Sequence, residues 1–151
     1  MNYWIGILKY KLGDSQKAIE LFSKAVVGQE EFLGANKASP ALYFSRGIIY
    51  LRLKEEKKAN EDIRLFMDGV MGTAERPKEL NSVIQSLSYA TLISGTAEER
   101  KDQLLRILKS LTGNDFPLDP DLSSLRKWWE AHRASFEVSP DAASLNPGGI
   151  K

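Results

Sequence analysis

The stretch Gly6-Ile7-Leu8-Lys9-Tyr10-Lys11-Leu12 returns 41 residues later as Gly47-Ile48-Ile49-Tyr50-Leu51-Arg52-Leu53. Lys17, Ala18 and Glu20 then fall on Lys58, Ala59 and Glu61, which makes six identities within twenty positions. Leu8 on Ile49, Lys11 on Arg52 and Phe22 on Ile63 are conservative matches in the same register. Self-similarity at such a period is the mark of a repeat architecture, in which each unit buries its apolar face only against a neighbour.

Each copy reads as two helices joined by a short polar turn. In the first, helix A runs through Leu12, Gly13-Asp14 turns the chain, and Asp14 or Ser15 caps the next helix by accepting its free N–H groups. Ala18, Ile19, Phe22, Ala25, Val26, Phe32 and Leu33 keep helical spacing, so helix B is predicted to reach about Leu33, with Gly34 as its stop and Gly28 inside it. The second copy opens at Ser39-Pro40, a capping serine followed by proline at the first helical position. Helix A then covers 40–53, Lys54-Glu55 turns, and helix B carries Ala59, Ile63, Phe66 and Met67 on one face before ending near 69–72. Gly6 and Gly47 fall in helix interiors, where glycine is less stable than alanine by roughly 0.5–1 kcal/mol. Close helix crossings are the expected compensation, with Ala18 and Ala59 as the small partners and Tyr43 and Tyr50 wedged around the second crossing.

Through Tyr43, Gly47, Tyr50 and Ala59 in the second copy, and Gly6, Gly13-Asp14, Ala18, Phe22 and Ala25 in the first, the chain resembles the tetratricopeptide repeat. The likeness covers just under half of the sequence. Asn2 stands where the family has tryptophan, Lys9 replaces a tyrosine, and no proline closes either copy. The period exceeds the family's 34 or so by roughly two helical turns, in keeping with the long helix B. The resemblance implies an all-α fold, an α-solenoid of antiparallel helical hairpins, whose A helices line a concave surface that receives an extended peptide or a partner helix. Carried over by position, that face comprises Tyr3, Ile7, Tyr10 and Lys11 from the first copy and Phe44, Ile48, Leu51 and Arg52 from the second. Apolar anchors there would supply affinity, and Lys11 and Arg52 orientation, which suits an amphipathic or acidic-apolar segment. The family's carboxylate clamp, which holds chaperone C-termini with Lys and Asn, is missing: Tyr3, Ile7 and Ser45 stand at those positions.

Beyond the duplication the pattern stays helical. Leu80, Val83, Ile84, Leu87 and Ala90 form one stripe over 77–94, with Ser94-Gly95 as a stop. Thr96 with Glu99 makes a capping box for a helix lined by Leu104, Leu105, Leu108 and Leu111 up to Thr112-Gly113. Leu111-Thr112-Gly113-Asn114-Asp115-Phe116, Asp119-Pro120 and Leu125-Arg126-Lys127-Trp128-Trp129 resemble the end of bacterial HEAT-like repeat segments, a likeness that implies no activity. Asp119 caps and Pro120 opens a terminal helix whose Leu122, Leu125, one of the two tryptophans and Phe136 close the stack. Ser139-Pro140, Asn146-Pro147 and Gly148-Gly149 then point to a mobile tail. The divisions are two hairpins over 1–72, a degenerate third hairpin over 73–113, a capping helix over 114–137 and a flexible tail over 138–151.

The composition narrows the function. With 151 residues, 21 Lys and Arg against 20 Asp and Glu, and 42% apolar residues, the chain fits one folded domain with no net field to attract nucleic acid. It has no cysteine and a single histidine, and no phosphate-cradling glycine loop, nucleophile elbow or metalloprotease motif appears. His132 lacks a catalytic companion at any useful spacing and reads as a solvated helix residue. Asp115, Asp119 and Asp121 lack the alternating oxygens and distal glutamate of a calcium loop. Arg126, Lys127 and Arg133 are too few, with Glu130 among them, for a nucleic-acid patch. Adjacent Trp128 and Trp129 point about 100° apart on a helix, so one of them enters the core. No stretch is apolar enough for membrane insertion. The expectation is therefore a non-catalytic binding scaffold for a protein or peptide, with no cofactor and no metal. The rival readings are a module that self-associates into a homodimer through its uncapped N-terminal helix, which carries Trp4 and Leu8, and an accessory region of a larger enzyme or envelope protein. The opening residues lack the basic region of a signal peptide, which favours a cytoplasmic protein; a periplasmic or envelope setting applies if the chain is a piece of an exported one.

Overall fold

Asp14 accepts a hydrogen bond from the Lys17 N–H at 3.0 Å and thereby starts the longest helix among the described residues. In a computed structural model, which describes residues 2–72, 85, 96–116 and 123–145, the regular elements are all helical. They are α1 (Asn2–Lys11), α2 (Ser15–Leu33), α3 (Pro40–Arg52), α4 (Glu56–Met71), α5 (Ala97–Thr112) and α6 (Ser123–His132), followed by 3-10 turns at Arg133–Ser135 and Pro140–Ser144. No strand occurs among the described residues. Helix α2 ends as expected at Gly34, where φ is 115° and the N–H bonds the Glu30 carbonyl at 2.8 Å. At Ser39 the expectation needs correcting. Its side chain makes no capping bond; its carbonyl instead receives the Leu42 N–H at 3.0 Å, and its N–H donates to Gln29 Oε1 at 2.7 Å. Thr96 caps α5 by accepting from the Glu99 N–H, and its hydroxyl donates to Glu99 Oε1; Gly113 ends that helix in the left-handed region. The helix expected over 77–94 lies outside the described residues except at Gln85, which is helical, and Asp119, Pro120, Asp121 and Leu122 lie outside them too.

The duplication is repeated bond for bond at the turns. Leu12, Gly13, Asp14 and Ala18 donate from their N–H groups to the carbonyls of Leu8, Tyr10, Lys9 and Asp14; Leu53, Lys54, Glu55 and Ala59 donate to those of Ile49, Leu51, Tyr50 and Glu55, each bond shifted by 41 positions. The turn needs a left-handed residue at its centre. Gly13 supplies it at φ 89°, and Lys54 is forced into it at φ 65°.

Helix α1 packs mainly on α2, α3 on α4, and α2 on α3. Both interior glycines stand at crossings, as expected, but not against the alanines. A Cβ on Gly6 would lie 2.7 Å from the Phe22 ring, and one on Gly47 would lie 2.9 Å from Ile63 Cδ1 and 3.1 Å from Asp62 Cβ. Phe22 and Ile63 each follow their glycine by sixteen residues, so the two crossings are equivalent; Ala18 and Ala59 are buried beside them. Tyr43 is not a wedge at the crossing either. Its hydroxyl ties α3 to α2, donating to Glu30 Oε2 at 2.7 Å and accepting from the Ala38 N–H at 3.1 Å. Burial and the bond to Glu30 push its pKa far up, so it stays a neutral phenol.

Arg46 grips Asp62 with two bonds of 2.7 Å and reaches Ser23 on α2 at 3.2 Å. Burial works against the Arg46 charge, but the Asp62 carboxylate more than offsets it and raises the guanidinium pKa. On the other side of the pair burial dominates: it pushes the Asp62 carboxyl above the usual carboxylate range despite the guanidinium's bonds. Helix α6 sends Leu125 and Trp129 into the core, so one tryptophan of the pair enters it as expected. Trp129 Nε1 and Arg133 both bond Asp68 of α4, and Arg126 bonds the Met71 carbonyl.

The expected mobile tail is a correction. Val138, Ala142 and Leu145 are buried, the Ser139 N–H bonds the Leu111 carbonyl at 2.9 Å, and the Pro140–Ser144 turn lies on α5 and α3. The proline and serine read as breakers of regular structure do break it, but broken structure still packs when its alternate side chains find pockets and its backbone groups find partners. Residues 146–151 lie outside the described residues.

Candidate binding surfaces

The eight positions expected to form one open face do not form it. Ile7, Phe44 and Ile48 are core residues, Phe44 and Ile48 with no exposed surface at all. Phe44 packs on Phe66 with ring centroids 5.1 Å apart. A side chain fully enclosed by its own fold offers no area to a ligand, so these three drop out as contact residues. Tyr3 is half-buried, its ring 5.8 Å from that of Phe22. Tyr10 is half-buried and accepts from the Arg52 guanidinium, which also lies 5.5 Å from its ring centre. Arg52 further donates to the carbonyls of Ala143 and Leu145, and Leu51 lies half-buried beside this same C-terminal segment. Of the eight, Lys11 alone is exposed.

The open apolar surface lies elsewhere on α1. Trp4 and Leu8 are each 55% exposed, Leu12 71% and Ile5 39%. At about 100° per residue these four fall within an arc of roughly 100° on the side of α1 opposite Tyr3, Gly6 and Tyr10, and Lys11 and Lys9 flank it, one on each edge. Helix α1 carries no acidic residue. Sequence reasoning flagged Trp4 and Leu8 only as an uncovered end; the i, i+4, i+8 spacing of Trp4, Leu8 and Leu12 was the signal for a stripe. A second exposed group, Val27, Phe32 and Leu33, ends α2.

No group of three or more acidic or histidine side chains among the described residues is placed to hold a metal ion, and Asp115 pairs with Lys109 at 3.4 Å. His132 is exposed, stacked 4.6 Å from the Trp128 ring, with Nδ1 2.8 Å from the Trp128 carbonyl. Among the described residues no helix is long and apolar enough to cross a membrane. In comparisons with known proteins, no family model, no curated protein and no solved structure matches this chain.

Proposed function

We propose that the chain is a non-catalytic protein-interaction scaffold of the tetratricopeptide-like α-solenoid kind, whose docking face is the outer stripe of α1 and whose occupant is an acidic amphipathic helix of a partner. The observation that carries this reading is the exposed Trp4, Ile5, Leu8 and Leu12 set between two lysines. The duplication supports it. In the second copy the counterpart of this helix, α3, takes a helix against it: Tyr43 and Arg46 reach Glu30 and Ser23 of α2. By the 41-residue shift, Arg46 and Ile49 correspond to Ile5 and Leu8. A helix lying on α1 would thus take the place that α2 takes on α3, but against a more apolar surface. The flanking lysines call for carboxylates on its two edges. They also oppose the homodimer reading in its simplest form, because two α1 stripes face to face would bring like charges together. The HEAT-like resemblance of the C-terminal part fits α6 as a closing element, with Trp129 in the core and Arg133 on Asp68.

The test is a titration with a synthetic amphipathic helix carrying a leucine stripe flanked by glutamates, followed by tryptophan fluorescence. Saturable binding is expected, weakened at least about tenfold, or about 1.4 kcal/mol, by Leu8→Asp. Equal binding of Leu8→Asp, or of a probe with lysines in place of glutamates, would remove the proposal. Sedimentation showing a dimer that Leu8→Asp dissolves would replace the partner helix by a second copy.

A further inference from the structure

Residues 136–145, Phe136-Glu137-Val138-Ser139-Pro140-Asp141-Ala142-Ala143-Ser144-Leu145, are bound to the helices in the manner of a peptide ligand. Their backbone is extended at Phe136, Ser139 and Leu145, with a single 3-10 turn between. The groups that such a backbone leaves open are met by the helical body: Asn60 Oδ1 accepts from the Val138 N–H at 2.8 Å, the Leu111 carbonyl accepts from the Ser139 N–H, and Arg52 donates to the Ala143 carbonyl at 2.9 Å and to that of Leu145. Val138, Ala142 and Leu145 are buried, whereas Glu137, Asp141, Ala143 and Ser144 face solvent. Main-chain bonds for affinity and spaced pockets for selectivity are how folded proteins hold extended peptides. Beside the segment a cleft of about 260 Å³ lies between Leu51, Lys54 and Asn60 on one side and Val138, Pro140 and Ala143 on the other.

We propose that Arg52, Asn60 and the Leu111 carbonyl form a peptide-binding cradle for an extended partner segment of the pattern aliphatic-Ser-Pro-acidic-Ala-x-x-Leu, and that residues 138–145 occupy it as an intramolecular competitor. The cradle joins the ends of α3 and α5 to the start of α4, and it stands independently of the α1 stripe. The segment is held by four buried apolar side chains, Phe136, Val138, Ala142 and Leu145, and contributes one 3-10 turn but no α-helix, so it can detach as a unit while the α-helices keep their own hydrogen bonds. Its exchange exposes Arg52 and Asn60 together.

The probe is a fluorescently labelled peptide with the sequence of residues 136–145, added to the full chain. Leu145→Asp weakens the internal competitor, and the labelled peptide should then bind at least about tenfold more tightly than to wild type. Adding Asn60→Ala or Arg52→Ala to that variant should abolish the gain. No gain in a Leu145→Asp protein that keeps its helical circular dichroism, or a gain that survives Asn60→Ala, overturns the proposal. Hydrogen exchange of the wild type gives a reading free of substitutions. The Val138, Ser139, Ala142 and Leu145 amides should exchange together and at least about tenfold faster than the slowest amides of α3 and α4. Equal protection would make the segment fixed core and end the case.

Discussion

Leu8 is 55% exposed and its counterpart Ile49 not at all; Trp4 is 55% exposed and its counterpart Ser45 is fully buried. The two helix pairs share their turns bond for bond and cross at equivalent glycines, yet their outer faces are inverted. Apolar residues meet solvent in α1, while in α3 a serine is enclosed and the arginine of an ion pair is largely covered. Backbone geometry is thus a property of the repeated pattern, whereas burial is a property of what lies next to each copy. Helix α3 lies against both α4 and α2, and Asp62, Glu30 and Ser23 supply the polar partners that make a buried Tyr43 and a largely covered Arg46 tolerable. A helix that shows tryptophan and leucine at i, i+4 and i+8 spacing instead has the composition of a covered surface.

The largest effect should come from closing the crossings. Gly47→Leu drives a side chain into Ile63 and Asp62 inside a helix enclosed on several sides, and should lower stability by about 3 kcal/mol. Gly6→Leu meets the Phe22 ring, but the other face of α1 is open and the helix can move away, so about half of that loss is expected. Urea midpoints of the two variants test the contrast. Equal losses would mean that α1 is held as firmly as α3.

Next comes the ion pair that the first copy lacks. Positions 46 and 62 correspond to Ile5 and Leu21. Asp62→Leu alone strands Arg46, whose side chain is only 16% exposed, and should destabilise by about 3 kcal/mol. Arg46→Ile combined with Asp62→Leu imports the apolar version and should return the protein to within about 1 kcal/mol of wild type, or above it. A double variant as unstable as the single one would show that the pair is needed for the α2–α3 contact through Ser23.

The all-helical class, the long α2 with its Gly34 stop, the α5 cap at Thr96 and the close approach at both glycines were legible because they depend on local chemistry and on a period. The candidate face was not. Helix-A positions of the resemblance pointed to Ile7, Phe44 and Ile48 as contact residues, but periodicity reports only that a residue is apolar and on a given face. It cannot say whether that face meets a ligand or the rest of the chain. Tail packing was illegible for a related reason: Val138, Ala142 and Leu145 follow no helical period, and their partners Asn60, Arg52 and Leu111 lie far away in sequence. One signal was present and unread. Gly28 and Gly69 are also 41 positions apart.

That second glycine pair sharpens the comparison at about 1 kcal/mol. A Cβ on Gly69 would lie 2.9 Å from the Pro40 ring, whereas one on Gly28 would meet nothing within 4 Å. Gly28→Ala should therefore gain the ordinary helix preference of alanine, about 1 kcal/mol, and Gly69→Ala should lose about as much by pressing on a rigid ring. Thermal melts with the same sign for both would show that these equivalent positions do not differ in their surroundings.

The smallest effect lies in the turn that both copies share. Lys54 holds φ at 65° where Gly13 holds 89°, and its N–H bonds the Leu51 carbonyl at 3.1 Å as the Gly13 N–H bonds that of Tyr10 at 2.9 Å. A side chain in the left-handed region is less stable there by roughly 1–2 kcal/mol, part of which glycine gives back through the greater freedom of its unfolded chain. Lys54→Gly should accordingly raise stability by about 0.5 kcal/mol, and Gly13→Lys should lower it by about the same, with both helix pairs otherwise unchanged. Denaturant curves at fixed slope resolve such shifts. If Lys54→Gly lowers stability instead, the lysine is contributing something that glycine at the same bend in the first copy does not, and the two turns are equivalent only in their hydrogen bonds.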